Sequence, residues 1–187
     1  MAQRTVFTKE MIVDAAFQLT RELGWSSVTA RTIAQKLGSS TMPLYSTHKS
    51  MEEIEREVRL RSEACLHGFQ RAKYTGEQLL DSAVGYIVFA RDERNLFRFL
   101  YVDKPLPATR RESTGNAKDA QELGGVVDIA DQAETALRDP RVLKSWAFAH
   151  GLASLISSGV IDLPTERIAA LLSEMGSAIF DGKGDAP

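Results

Sequence analysis

The sequence predicts an all-α protein of about nine helices in two parts: a three-helix helix-turn-helix unit over residues 1–49 and a larger helical body over 50–181, with a disordered tail at 182–187. Three observations predict it. Apolar residues recur at helical spacing along nearly the whole chain, and no segment alternates convincingly as a strand. The stretch TARTIAQKLGSSTMPLYS, Thr29 to Ser46, sets Ala34, Gly38 and Leu44 at the offsets of a helix-turn-helix: a small residue where two helices cross, a glycine for the turn and an apolar anchor. The charge is also unevenly divided. Residues 1–50 carry six Lys/Arg against three Asp/Glu, whereas the remainder carries seventeen against twenty-two. A basic front on an acidic body suits contact with a polyanion through one end only.

Composition narrows the class. With 43% hydrophobic and 26% charged residues, the 187-residue chain has enough apolar surface for a real core. A single cysteine, Cys65, rules out an intramolecular disulfide framework and fits a reducing cytoplasm. No apolar run resembles a signal peptide or approaches the ~18 residues of a membrane span, so no membrane is expected as a partner.

The elements follow in order. Residues 1–7 are polar and frayed. Thr8 is a good N-cap, and Met11, Ile12, Ala15, Ala16, Leu19 and Leu23 then form one apolar face that ends at Gly24. Trp25 and Val28 tuck beneath the next element. Thr29 caps the second helix, whose buried face is Ile33, Ala34 and Leu37. Ser39 or Ser40 caps the third, with Pro43 in its first turn, where a missing N–H costs little. Ser50 and Glu53 form a capping box that opens a long fourth helix, expected to run to about Lys73.

The fifth helix begins at Thr75 and Glu77 and is apolar nearly all round, which makes it the centre of the body. Leu96 to Tyr101 is a short aromatic sixth helix. Residues 104–116, with two prolines, read as the mobile loop. Residues 117–138 read as a seventh helix weakened by Gly124-Gly125. Pro140 starts the eighth and Pro164 the ninth.

The order of these pieces resembles the TetR/AcrR family of bacterial transcriptional regulators. The residues that carry the resemblance are Ile12-x2-Ala15-Ala16, Leu23-Gly24, Val28-Thr29, Ile33-Ala34, Leu37-Gly38 and Leu44-Tyr45, then the capped helix at Ser50. In the second half, Trp146-x3-His150-Gly151 within SWAFAHGLASLISSG is similar to a Trp…His-Gly motif of one subgroup, and LFRFLYVDKP (96–105) resembles a segment of the same subgroup. The chain departs from the family at two places. An aromatic commonly stands three residues after the tyrosine and a lysine six after it; here those positions hold His48 and Met51. The lysine commonly meets a phosphate, a role that falls here to Lys49 or His48.

A reading helix must point short polar groups at base edges in the major groove. Ser39, Ser40, Thr41 and Met42 stand at the start of the third helix, where hydroxyls donate or accept and the Met42 and Thr41 methyl groups pack on thymine. Arg31 on the second helix reaches a base or a phosphate. Thr29, Lys36, Tyr45, His48 and Lys49 are the further backbone candidates, aided by the N–H groups at the helix starts of Thr29 and Ser50. Singly, each fits a plainer role: a cap for Thr29, Ser39 or Ser40, core for Tyr45, a solvated charge for either lysine, a local ion pair for Arg31. Together they share one expected face.

The resemblance implies that the fifth to seventh helices line a pocket for a small-molecule effector and that the eighth and ninth pair in a homodimer. Tyr86, Phe89, Phe97, Tyr101, Trp146 and His150 are the pocket candidates, each equally at home in a core, and an apolar lining favours a hydrophobic or aromatic compound. Trp146, Leu152, Leu155, Ile168, Leu172 and Met175 are expected at the dimer interface. The resulting reading is a cytoplasmic, ligand-responsive regulator, a repressor, that binds a palindromic DNA operator as a homodimer and leaves it when the effector binds.

Two rival readings stand beside it. An enzyme is disfavoured: His48, His67 and His150 lie apart, Cys65 has no adjacent base, and HExxH, GxGxxG, Walker and GxSxG patterns are missing. No cofactor or metal is expected. The second rival is a helical dimer that binds a ligand or partner without sequence-specific DNA binding.

Overall fold

The computed structural model describes residues 7–103 and 138–180, and every regular element among them is helical. The helices are α1 (Lys9–Leu23), a 3-10 turn (Trp25–Ser27), α2 (Ala30–Lys36), α3 (Met42–Thr47), α4 (Met51–Gln70), α5 (Gln78–Asp92), α6 (Arg94–Tyr101), α7 (Pro140–Ser157) and α8 (Thr165–Phe180). The expected frayed start apart from Phe7, the loop at 104–116, the seventh helix up to residue 137 and the tail lie outside the described residues. The predicted eighth and ninth helices are therefore α7 and α8.

The chain forms two compact units: residues 1–66 with 93–104, and residues 67–92 with 105–187, so far as they are described. From the sequence, the boundary was expected between residues 49 and 50, with the aromatic sixth helix in the body. Instead, α6 packs on α1 in the first unit.

The first unit is built on α1. Thr8 caps it as expected, its hydroxyl accepting from the Met11 N–H at 3.2 Å. Gly24 ends it at φ 81°, though with ψ 157° rather than in a true left-handed turn. Ile12, Val13, Ala16 and Leu19 are buried, whereas Met11 and Leu23, placed by periodicity on the same face, are exposed. Two charged residues tie α6 into this unit. Arg21 chelates the buried carboxylate of Glu93 through Nε at 2.7 Å and through Nη2. Asn95 donates to the Arg21 carbonyl at 2.9 Å. From α4, the buried Arg59 donates to the carbonyls of Leu100 and Phe99 at 3.2 and 3.3 Å, so a guanidinium closes the C-terminal end of α6. It also lies 4.8 Å from the centre of the Phe99 ring, which Trp25 approaches at 5.0 Å.

The second unit is built on α5, where seven successive residues, Val84 to Ala90, are buried as the all-round apolar pattern predicts. α7 and α8 pack on it and on each other through Leu152, Ala153, Ile156, Ile168 and Leu172. α5 starts at Gln78, not Thr75. The reason is Asp81, which turns back to accept from Thr75 Oγ1 at 2.8 Å and from the N–H groups of Tyr74, Thr75 and Gly76, holding 74–76 as a loop. Burial pushes the Asp81 carboxyl up, but those four bonds together hold it below the ordinary carboxylate value. α4 likewise stops at Gln70, short of Lys73.

Gly85 marks the tightest helix crossing. A Cβ there would sit 2.3 Å from the Phe69 carbonyl oxygen, which is backbone and cannot swing aside. Gly85→Ala is therefore expected to destabilise the second unit by about 1–3 kcal/mol, as other overpacked sites do. Urea unfolding followed by circular dichroism checks this; a variant as stable as the parent would show that the crossing relaxes freely.

Candidate nucleic-acid interface

α2, its turn and α3 are assembled by short-range rules. At the α2 start, Thr29 Oγ1 accepts from the Thr32 N–H at 3.1 Å and Thr32 Oγ1 accepts from the Thr29 N–H at 2.9 Å, a reciprocal capping box. Thr32, which the sequence reading did not single out, thus consumes the Thr29 N–H that was expected to face a phosphate. At the other end, Gly38 (φ 63°) donates to Gln35 and Ser39 donates to Ala34 at 2.9 Å, the paired bonds of a Schellman turn. The expected serine cap of α3 does not form. Thr41 occupies the cap position in a helical conformation without a side-chain bond, and Ser39 Oγ donates to the Ser40 carbonyl. Pro43 stands in the first turn as predicted, and Leu44, 2% exposed, fastens α3 to the core.

This leaves an exposed rim. Met42 and Tyr45 are 73% and 63% exposed, which excludes a core role for that tyrosine. Thr29, Arg31, Ser40, Thr41 and Lys49 are exposed beside them, and Ser39 is half-buried. Lys36 is also exposed, with its ammonium on both carboxylate oxygens of Glu22 at 3.0 and 2.9 Å. An exposed pair of this kind is worth only ~0–1 kcal/mol, so a phosphate competes for the lysine at small cost.

His48 is the exception. The sequence reading put it on the rim; the ring is instead buried, 2% exposed, with Nδ1 3.1 Å from Thr47 Oγ1 and Nε2 3.8 Å from a Glu57 oxygen. It occupies the place where the resembled family carries an aromatic, and like an aromatic it packs inward. At the start of α4, Ser50 Oγ accepts from the Glu53 N–H at 3.4 Å, one half of the expected capping box. The other half is displaced by one residue: the Glu53 carboxylate accepts from the Lys49 N–H at 2.7 Å and holds Lys9 at 3.1 Å. These contacts, the backbone bond first, keep Glu53 below the ordinary carboxylate value.

The six effector-pocket candidates divide. Tyr86, His150 and Trp146 gather in the second unit, with the Tyr86 hydroxyl 2.7 Å from His150 Nδ1 and the Trp146 ring 6.0 Å from the imidazole. Phe89 is wholly buried against Phe69. Phe97 and Tyr101 lie against one another in the first unit, so the candidates are split between the two units. The expected third wall, 117–138, falls outside the described residues except Arg138. Of the dimer candidates, Leu152, Ile168 and Leu172 are buried within this chain, Trp146 and Met175 are partly exposed and Leu155 is exposed. Leu143, Ala147, Phe148 and Gly151 recur with Leu155 every four residues or so along the exposed side of α7; of these the sequence reading set Leu155 at the dimer interface and Gly151 as a small residue permitting close helix approach, and did not single out Ala147 or Phe148. Periodicity alone could not separate the two apolar sides of that helix.

Among the described residues no group of three or more His, Cys, Asp or Glu side chains is placed to hold a metal ion, and no helix is long and apolar enough to cross a membrane. Burial pushes the Cys65 thiol up, which makes it a poor nucleophile.

Comparison with known proteins adds two findings. Residues 79–178 match the family described as "Tetracyclin repressor-like, C-terminal domain". The fold is similar to the crystal structure of a TetR-like transcriptional regulator from Rhodococcus sp. RHA1, with a TM-score of 0.61 over 97% of this chain and 100% of that one, at 17% sequence identity. No protein of curated function matches the sequence.

Burial holds His150 below the usual histidine range, and His67 too, the latter also through Arg71. Folding thus favours their neutral forms. The unfolded chain takes up protons below about pH 6.5 that the folded chain refuses, so stability is full above that value and declines as the pH falls toward the lowered ones. The urea midpoint is expected to drop between about pH 7 and pH 5, and His150→Gln to make that slope shallower. An unchanged slope in the variant would refute a neutral, buried His150.

Proposed function

The chain belongs to the TetR family, matching its C-terminal domain over residues 79–178, and from that premise we propose that it is a DNA-binding transcriptional regulator, a repressor that binds a palindromic operator as a homodimer and releases it on binding a small hydrophobic effector. The observation that carries this reading is the exposed tip of α3. A short helix anchored by Leu44 holds Thr41, Met42 and Tyr45 outward, and Arg31, Lys36 and Lys49 are exposed in the same unit. A duplex suits this surface: its phosphates meet the cations and its thymine methyls meet the apolar tip. The Rhodococcus protein it resembles in fold is a TetR-like transcriptional regulator.

Tyr45, Lys36, Lys49 and Thr29 take phosphates in this reading, and Ser39, Ser40, Thr41 and Met42 meet base edges, with Arg31 on either. α3 carries no Arg, Asn or Gln, so bidentate base contacts are missing from it and specificity rests on methyl packing, hydroxyls and duplex shape. The exposed stripe of α7, Leu143, Ala147, Phe148, Gly151 and Leu155, is the surface proposed for the second copy; the glycine and alanine permit close approach, and twofold pairing sets two readers about one helical turn, ~10 bp, or a little more apart. The Tyr86–His150–Trp146 cluster is the proposed floor of the effector site. An effector that favours a different reader spacing weakens DNA binding by its coupling energy, typically ~1–3 kcal/mol.

Selection of bound DNA from random duplexes tests the whole. A palindrome is expected; recovery of no preferred sequence would refute sequence-specific regulation. On the selected operator, Lys49→Ala is expected to weaken binding to all sequences and lower the salt slope by about 1. Tyr45→Phe is expected to weaken all sequences alike, while Thr41→Ala or Met42→Ala changes which bases are preferred. Gel shifts over an operator mutant set check this, and four variants with one common behaviour would count against the division between phosphate and base contacts.

A further inference from the structure

The buried His48 holds an arrangement that DNA contact does not use. The Thr47 hydroxyl has one proton, and its acceptors are the Pro43 carbonyl at 2.9 Å and the Leu44 carbonyl at 3.1 Å. The same oxygen lies 3.1 Å from His48 Nδ1. With the ring proton on Nδ1 the imidazole donates to that oxygen while the hydroxyl donates to Pro43, so both bonds form; with it on Nε2 the one hydroxyl proton serves a single acceptor and a buried N–H is left without a partner, so the neutral ring is assigned Nδ1–H, with a bare lone pair at Nε2. That atom is buried and has no hydrogen-bond partner, and what lies before it, at 3.8 Å, is Oε1 of Glu57. Two acceptors thus face each other at a separation too long for a hydrogen bond and short enough for an ion pair.

The charged groups nearest the ring are acidic: α4 brings two carboxylates, Glu57 and Glu53. The charges of α1 that reach α4 are already committed: Lys9 lies on Glu53 at 3.1 Å and Asp14 on Arg61. α3 itself contributes only the exposed Tyr45, and Lys49, next in the chain, is exposed. An apolar ring at this position would fill the same space without any response to acid.

We propose that His48 and Glu57 form a proton-operated latch beneath the reading helix: a proton taken from solvent at Nε2 makes it a donor to the Glu57 carboxylate, ties the end of α3 to α4 and tightens DNA binding as the pH falls. The affinity readout rests on the DNA-binding reading above. The ring is the last residue of the α3 turn, its N–H donating to the Leu44 carbonyl at 2.8 Å, so pinning the ring pins the helix that carries the base contacts.

Affinity of the full chain for the selected operator, followed by fluorescence anisotropy at constant salt from about pH 8 to pH 6, tests it. The parent is expected to tighten roughly three- to tenfold more over that range than His48→Phe does. Glu57→Gln, at a partly exposed site, keeps the ring and is expected to lose the same increment. Parallel pH profiles in all three proteins would overturn the latch. So would an Nε2–H tautomer at neutral pH in long-range nitrogen-proton spectra of the DNA-free protein, where Nδ1–H is expected. Absence of DNA binding at every pH would instead strike the regulator reading and the affinity claim with it; the tautomer, and an acid-form ring signal altered in Glu57→Gln, would still decide whether Glu57 receives the proton.

Discussion

A helix of six residues makes too few internal hydrogen bonds to persist in water, because nucleation costs more than so short a run returns. What α3 offers to a partner therefore depends on one side chain. Leu44 is buried beneath it, and that burial, worth about 1.5–3 kcal/mol for a leucine, is what fixes the short helix, which meets α1, to the core of the first unit. The Schellman turn at Gly38 delivers the chain to the right place, and Pro43 removes an entropy cost at the first turn without losing a bond. The exposed Met42 and Tyr45 are consequences of the same geometry: with Leu44 inward, its neighbours at one and two positions' distance must point away.

Most of this was legible because it is local. Thr8, Gly38, Pro43 and Pro140 act within a few residues, and their spacing states the helix ends directly. The all-round burial of α5 was legible for a related reason: a helix with no polar face has nowhere to go but inside. The failures share a different cause. Arg59 reads as one more charge on an acidic helix, and nothing near it in sequence foretells that it is buried over Phe99 and closes α6. Glu93 meets Arg21 across 72 positions, so the tie that draws α6 into the first unit is invisible to any periodic reading. His48 was misplaced because a histidine beside a lysine looks like surface; its orientation is decided by the turn that ends α3.

The division of α7 shows the limit of periodicity most sharply. Its two sides are both apolar, and the sequence marks them as one broad stripe. Leu152 and Ile156 belong to the α5–α7–α8 core, whereas Phe148 and Leu155 lie outside it. Only the packing of α5 distinguishes them, and α5 is far away in the chain. Residues given to a second copy on sequence grounds were therefore drawn from both sides.

The ion pairs of the first unit can be sorted by the same physics. Lys36–Glu22 and Lys9–Glu53 have exposed cations, so each is screened by salt and cheap to exchange for another anion. Arg21–Glu93 is bidentate on a buried carboxylate, and losing the arginine would strand a charge away from water. The exchangeable lysines lie at the start of α1 and the end of α2; the fixed pair lies where α1 meets α6. A polyanion that approached the rim would draw on the first set without loosening the second. A surface can thus trade its counter-charges while the frame beneath it keeps its shape, and an unpaired cation is not required for a protein to meet phosphates with lysines.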